Sequence, residues 1–150
     1  MRALEIFDVD EQGKLTGTLH EVLSLTDPPA SGLWWTLRYI EARGDIAPAW
    51  PAGLKDLESA ASSRRLGLEL PWEQLLGIAA LLREVVDIRL DGWQRLPRPG
   101  DGPEPLHLRV EVLDSSLFRV AARDRTVFAR LEQRFHDTRA VELSVKSETF

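Results

Sequence analysis

The chain has 150 residues, 43% hydrophobic and 29% charged, with a formal net charge of -5. That length and balance predict one globular domain with its own core, and the negative charge disfavours non-specific contact with nucleic-acid phosphates. The chain contains no cysteine, which excludes disulfides and cysteine-based zinc sites. No stretch approaches the ~20 apolar residues of a membrane helix. Glu5, Asp8 and Asp10 interrupt the start, so it does not read as a secretion signal, and the expected location is the cytoplasm.

Residues 3–9 alternate weakly and predict a first strand, and Glu11-Gln12-Gly13-Lys14 predicts a turn. Thr18 to Glu21 has capping-box spacing, with Leu19, Val22 and Leu23 on one helical face, closed by Asp27-Pro28-Pro29. Leu33, Trp35, Leu37 and Tyr39 alternate with Trp34, Thr36, Arg38 and Ile40, which predicts a strand rich in aromatic residues, with a helix as the alternative because Trp34, Leu37, Ile40 and Glu41 also have helical spacing. A loop over 44–53 precedes a short helix from Leu54 to Ala61, and Ser62 to Leu70 is ambiguous. Pro71 favours a helix start, and Trp72, Leu75, Leu76, Ala79 and Leu82 form a helical stripe. Val86, Ile88 and Leu90 then alternate with Asp87, Arg89 and Asp91, as in a half-buried strand.

Residues 95–105 hold four prolines and two glycines and predict an exposed loop. Leu106 to Val112 and Phe118 to Ala122 alternate around Asp114-Ser115-Ser116, which predicts a hairpin. Asp124 caps a helix carrying Val127, Phe128, Leu131 and Phe135, and Val141, Leu143 and Val145 suggest a last edge strand. The expected class is a single α+β domain: a mainly antiparallel sheet packed against helices.

The start "IFDVD" resembles the first motif of haloacid-dehalogenase-type phosphatases, whose first Asp is the nucleophile and whose second is a general acid. That family needs a hydroxyl residue two places beyond the second Asp, and Gln12 stands there. It also needs a lysine and a downstream acidic pair, and only Lys14, Lys55 and Lys146 are present. An EF-hand reading of Asp8, Asp10 and Gly13 fails at its last ligand, where Leu19 replaces the bidentate Glu. His20, His107 and His136 lack metal-pair spacing, and Arg43-Gly44-Asp45 reads as a turn. No Walker loop, Gly-x-Ser-x-Gly or dinucleotide fingerprint occurs.

Asp8, Asp10, Glu11, Asp87 and Asp91 sit at strand ends or on polar strand faces. If those strands neighbour one another, they make a negative docking surface for a basic partner, with Trp93 as an aromatic anchor. The stretches "LWWTLRYIEARGD", "GLELPWEQLLGIAALLREVVDIRLDG" and "VEVLDSSLFRVAARDRTVFARLEQRFHD" together resemble small bacterial immunity-type proteins of polymorphic or contact-dependent toxin systems. The resemblance implies a cytosolic, non-enzymatic protein that blocks a cognate toxin by direct binding, without a cofactor and without a nucleic-acid or membrane partner. The alternatives are a small metal-assisted phosphohydrolase using Asp8 and Asp10, and a structural or adaptor subunit with an apolar patch at Trp34 and Trp35.

Overall fold

A computed structural model describes residues 1–144. In chain order the elements are β1 (Arg2–Ile6), α1 (Leu19–Leu25), β2 (Trp34–Gly44), α2 (Leu54–Ser62), β3 (Leu68–Leu70), α3 (Trp72–Leu81), β4 (Leu82–Trp93), β5 (Leu106–Leu113), β6 (Leu117–Ala122), α4 (Arg125–Arg134) and β7 (Thr138–Glu142). The strands form one antiparallel sheet in the order β3-β2-β4-β5-β6-β1-β7. The chain is thus the expected single α+β domain. Among the described residues, no helix is long and apolar enough to cross a membrane.

The two-residue period of the strands sorts side chains onto two faces. Leu4, Leu37, Leu90, Leu108, Val110 and Val120 carry one face into the core. The helices bury that face with Val22 and Leu23 from α1, Leu57 from α2, Ile78 from α3 and Leu131 from α4. Local chemistry fixes the helix ends. The Thr18 hydroxyl accepts from the Glu21 amide at 3.0 Å, and the Asp124 carboxylate accepts from the Thr126 amide at 2.9 Å. The capping box at Thr18 is one-sided, because the Glu21 carboxylate instead accepts from Arg134 Nε at 2.7 Å. The tryptophans lock α3 to the sheet: Trp35 stacks on Trp72 at 5.5 Å and donates its indole N–H to the Ala30 carbonyl.

The structure departs from the sequence reading at particular places. The first strand stops at Ile6, and Val9 makes only an isolated bridge with Leu15. The single alternation expected across 33–40 breaks at a bulge between Leu37 and Tyr39. One extra residue inverts the phase, so Ile40 turns into the core and Tyr39 out of it. A second irregularity, between Glu41 and Ala42, brings Val85 rather than Val86 against the core. The ambiguous 62–70 stretch contains edge strand β3. Helix α3 ends at Leu81, and Leu82 is already extended and begins β4 without a loop. Gly44 permits this abrupt junction, since a Cβ there would stand 2.6 Å from the Leu81 carbonyl oxygen. The last strand is β7, which ends at Glu142 ahead of Leu143, and Val145 lies outside the described residues.

Candidate functional site: the open face of the sheet

Side chains that alternate with the core residues form the second face of the sheet, which no helix covers among the described residues. Register arranges them in rows across the strands. One row runs Tyr39, Arg89, Glu111, Arg119, Glu5 and Arg139 through β2, β4, β5, β6, β1 and β7. From Arg89 onward the charge changes sign at every strand. Directly opposed residues stand about 5 Å apart, so Glu111, Arg119 and Glu5 each meet opposite charges on both flanks. The neighbouring row runs Thr36, Asp91, Arg109, Ala121, Ala3 and Val141.

Asp91 is the hub and is only 2% exposed. Its Oδ1 accepts from Arg109 Nε at 2.7 Å, and its Oδ2 accepts from Arg89 Nε and Nη2 at 3.2 and 3.1 Å. Beside it, the Trp93 indole donates to the Thr36 hydroxyl at 2.9 Å. Further along, Arg119 donates Nε and Nη2 to Glu5 Oε2 at 3.1 and 2.9 Å. These charge-assisted bonds hold the middle of the face in one arrangement.

Glu111 is placed less favourably. Arg119 Nη1 stands 3.8 Å from its Oε1, too far for a hydrogen bond, because the better geometry of Arg119 goes to Glu5. Burial pushes the Glu111 carboxyl above its ordinary value, against the pull of Arg109, Arg119 and Arg89. A raised acid is favoured protonated in the fold, so its ionisation weakens the fold as pH rises from the unfolded value through the folded one. A Glu111→Gln variant is therefore expected to lose less stability than the wild type as pH rises from about 4, the ordinary value of a free Glu, through neutrality. Urea midpoints across that range measure it, and parallel curves for the two proteins would refute it.

Toward the β3 edge, the face changes character. Trp34 is 52% exposed and Tyr39 is 38% exposed, both on the outer side of β2. Burial, with Glu111 and Asp87 nearby, raises the Tyr39 hydroxyl above its usual value, so it remains a protonated donor. Glu41 on β2 and Glu69 on β3 project from the same face, and both are exposed. Among the described residues, no ion pair holds either carboxylate.

The acidic residues singled out in the sequence do not gather into one surface, because β5 and β6 separate β1 from β4. Asp8 accepts from the His136 amide at 2.9 Å and the Asp137 amide at 2.7 Å, and so ties the end of β1 to the α4–β7 link. Asp10 accepts from the amides of Gln12 and Lys14 within its own turn, and Glu11 is exposed on that turn. Asp87 accepts from the Asp114 amide at 2.9 Å, which steadies the β5–β6 turn where Asp114 and Ser115 have positive φ. Asp91 faces Arg89 and Arg109, and Trp93 is 2% exposed. Only Asp87, Asp91 and Trp93 lie together, on β4.

The sequence reading passed over Tyr39, Glu41, Glu69 and the arginines of the rows. Alternating signs at the polar positions of β4 and β5 were visible, but their pairing depends on register. Among the described residues, no cluster of three His, Asp or Glu side chains has the arrangement of a metal site. No family model, curated protein or solved structure matches the chain.

Proposed function

We propose that the chain is a protein-binding module that neutralises a cognate toxin domain by direct contact, and that it docks through the β3–β2 side of its open sheet face. The observation that carries this reading is the pair of exposed aromatic side chains, Trp34 and Tyr39, on a strand backed by an ion-paired sheet face. Large aromatic residues supply most of the binding energy at protein interfaces, and a pre-organised surface loses little entropy when it docks. Glu41 and Glu69 flank the pair with carboxylates free of ion pairs among the described residues, and the chain carries a net charge of -5. The bulge residue Arg38, half-buried, is the cation of the segment between Trp34 and Glu41. The fitting partner is therefore a folded domain with a basic surface, whose charge speeds encounter and selects the register. The resemblance to bacterial immunity-type proteins supports the same class.

Co-expression with the product of the adjacent gene tests the reading. A toxic neighbour, rescued by this chain and purified with it as a complex, is the expected result. A harmless neighbour that forms no complex overturns it. Within such a complex, Trp34→Ala and Tyr39→Ala are each expected to weaken binding at least ~10-fold, as hot-spot truncations do. Calorimetric titration measures the effect, with unfolding midpoints as a check on the fold. Unchanged affinity in both variants would place the interface elsewhere.

A further inference from the structure

A cleft of about 500 Å³ opens at one end of the sheet, where β2 stops, β4 starts and the β5–β6 turn meets the β1–α1 loop. Its volume falls within the range of small-molecule sites. Leu19, Ala79, Val85, Val112 and Phe118 line it with hydrocarbon. Lys14 in the β1–α1 loop, Arg43 at the end of β2 and Arg83 at the start of β4 are among its lining residues. Among the described residues, these three side chains form no ion pair and no hydrogen bond. Elsewhere on the sheet face, Arg89 and Arg109 are held by Asp91 and Arg119 by Glu5. The lining thus holds three cationic residues outside any ion pair among the described residues and one carboxylate, Glu84, which stands opposite Arg43 in the β2–β4 register, in a chain whose net charge is -5.

We propose that this cleft binds a small amphipathic anion: a hydrocarbon body on the apolar lining, with a single carboxylate held by Lys14, Arg43 and Arg83. An apolar lining rewards each buried methylene by roughly 0.8 kcal/mol. Cations beside a low-dielectric wall focus the field on an incoming anion. Glu84 lowers the local excess from three charges to two, which suits a singly charged head better than a polyphosphate. The hydroxyls of Thr16 and Ser115, also on the lining, supply further donors. The site lies at the sheet's end rather than on the face that carries Trp34 and Tyr39, so it stands or falls apart from the docking surface.

Titration of the full chain with decanoate, below its micelle concentration, tests the proposal against decylammonium and decyl phosphate of equal chain length. The expected result is saturable one-to-one binding of decanoate, at least ten-fold tighter than decylammonium and no weaker than the phosphate. The double variant Arg43→Gln, Arg83→Gln is expected to lose at least ten-fold in decanoate affinity with an unchanged unfolding midpoint, since both side chains are exposed. Equal binding of decanoate and decylammonium would overturn the proposal without any variant, as would binding that never saturates. Tighter binding of the phosphate would overturn the carboxylate assignment. Undiminished affinity in the folded double variant would remove the cations from the site.

Discussion

Replacing Asp91 by alanine is expected to destabilise the domain by about 3–5 kcal/mol, a large share of the roughly 5–15 kcal/mol that holds a domain of this kind together. Asp91 is 2% exposed, and the side chains of Arg89 and Arg109 that converge on it are 15% and 10% exposed. Removing the carboxylate takes from two mostly desolvated guanidinium groups the buried acceptor that they share. The cost is that of losing this shared acceptor between like charges, not the net value of the ion pairs. Replacing all three residues together, Arg89→Met, Asp91→Leu and Arg109→Met, is accordingly expected to cost far less than Asp91→Ala alone. High salt should restore little of the loss, because pairs this buried are poorly screened. Urea unfolding at low and high ionic strength separates these outcomes. A loss below about 1 kcal/mol in Asp91→Ala would mean that the hub holds nothing in place.

That hub also explains how far the sequence could be read. The alternation in "VVDIRLD" and in Leu106 to Val112 correctly divided Ile88, Leu90, Leu108 and Val110 from Arg89, Asp91, Arg109 and Glu111. Periodicity reports which side of a strand a residue takes, because the backbone fixes that locally. It does not report which strand lies alongside. Asp91 therefore looked like a solvated acid available to a partner, whereas its register neighbour Arg109 and same-strand neighbour Arg89 consume both oxygens. Asp8 and Asp10 looked equally available for the same reason, and backbone amides occupy both. The two sets make one surface only if their strands touch, and the order β4-β5-β6-β1 keeps them apart.

Irregularities hid the rest. Unbroken alternation groups Tyr39 with Trp35 and Leu37, because it puts odd residues together. The bulge inserts one residue and turns Tyr39 to the open face. No pattern of apolar residues marks a bulge in advance, since the local sequence "TLRYIE" satisfies either phase. The same insertion that lifts Tyr39 out of the core creates the proposed docking surface beside Trp34. The cleft with Lys14, Arg43 and Arg83 is equally illegible, because it joins residues from two halves of the chain that only the assembled sheet brings together.

The bulge has its own most sensitive partner, and Gly67→Ala is expected to be among the most damaging single substitutions in the protein. Gly67 leads into β3 with φ at +88°, and a Cβ there would stand 2.2 Å from the Leu37 carbonyl oxygen, 2.6 Å from its carbon and 2.8 Å from the Arg38 Cα. Those atoms belong to the bulged backbone, so no rotamer change relieves the collision. Either β3 shifts away from β2, losing the Leu68 and Leu70 pairings with Leu37 and Trp35, or the bulge is forced flat and Tyr39 is driven back toward the core. A loss of about 3–4 kcal/mol is expected by either route. Gly53 provides the control, because its φ is +87° but nothing lies within 4 Å of its Cβ position. Gly53→Ala should show only the backbone cost of its φ +87°, ψ 175° conformation, about 1–3 kcal/mol. The difference between the two unfolding free energies isolates the steric contact from the torsional strain. Equal losses in the two variants would mean that the bulge yields freely, and that the exposed position of Tyr39 is not fixed by the strand beside it.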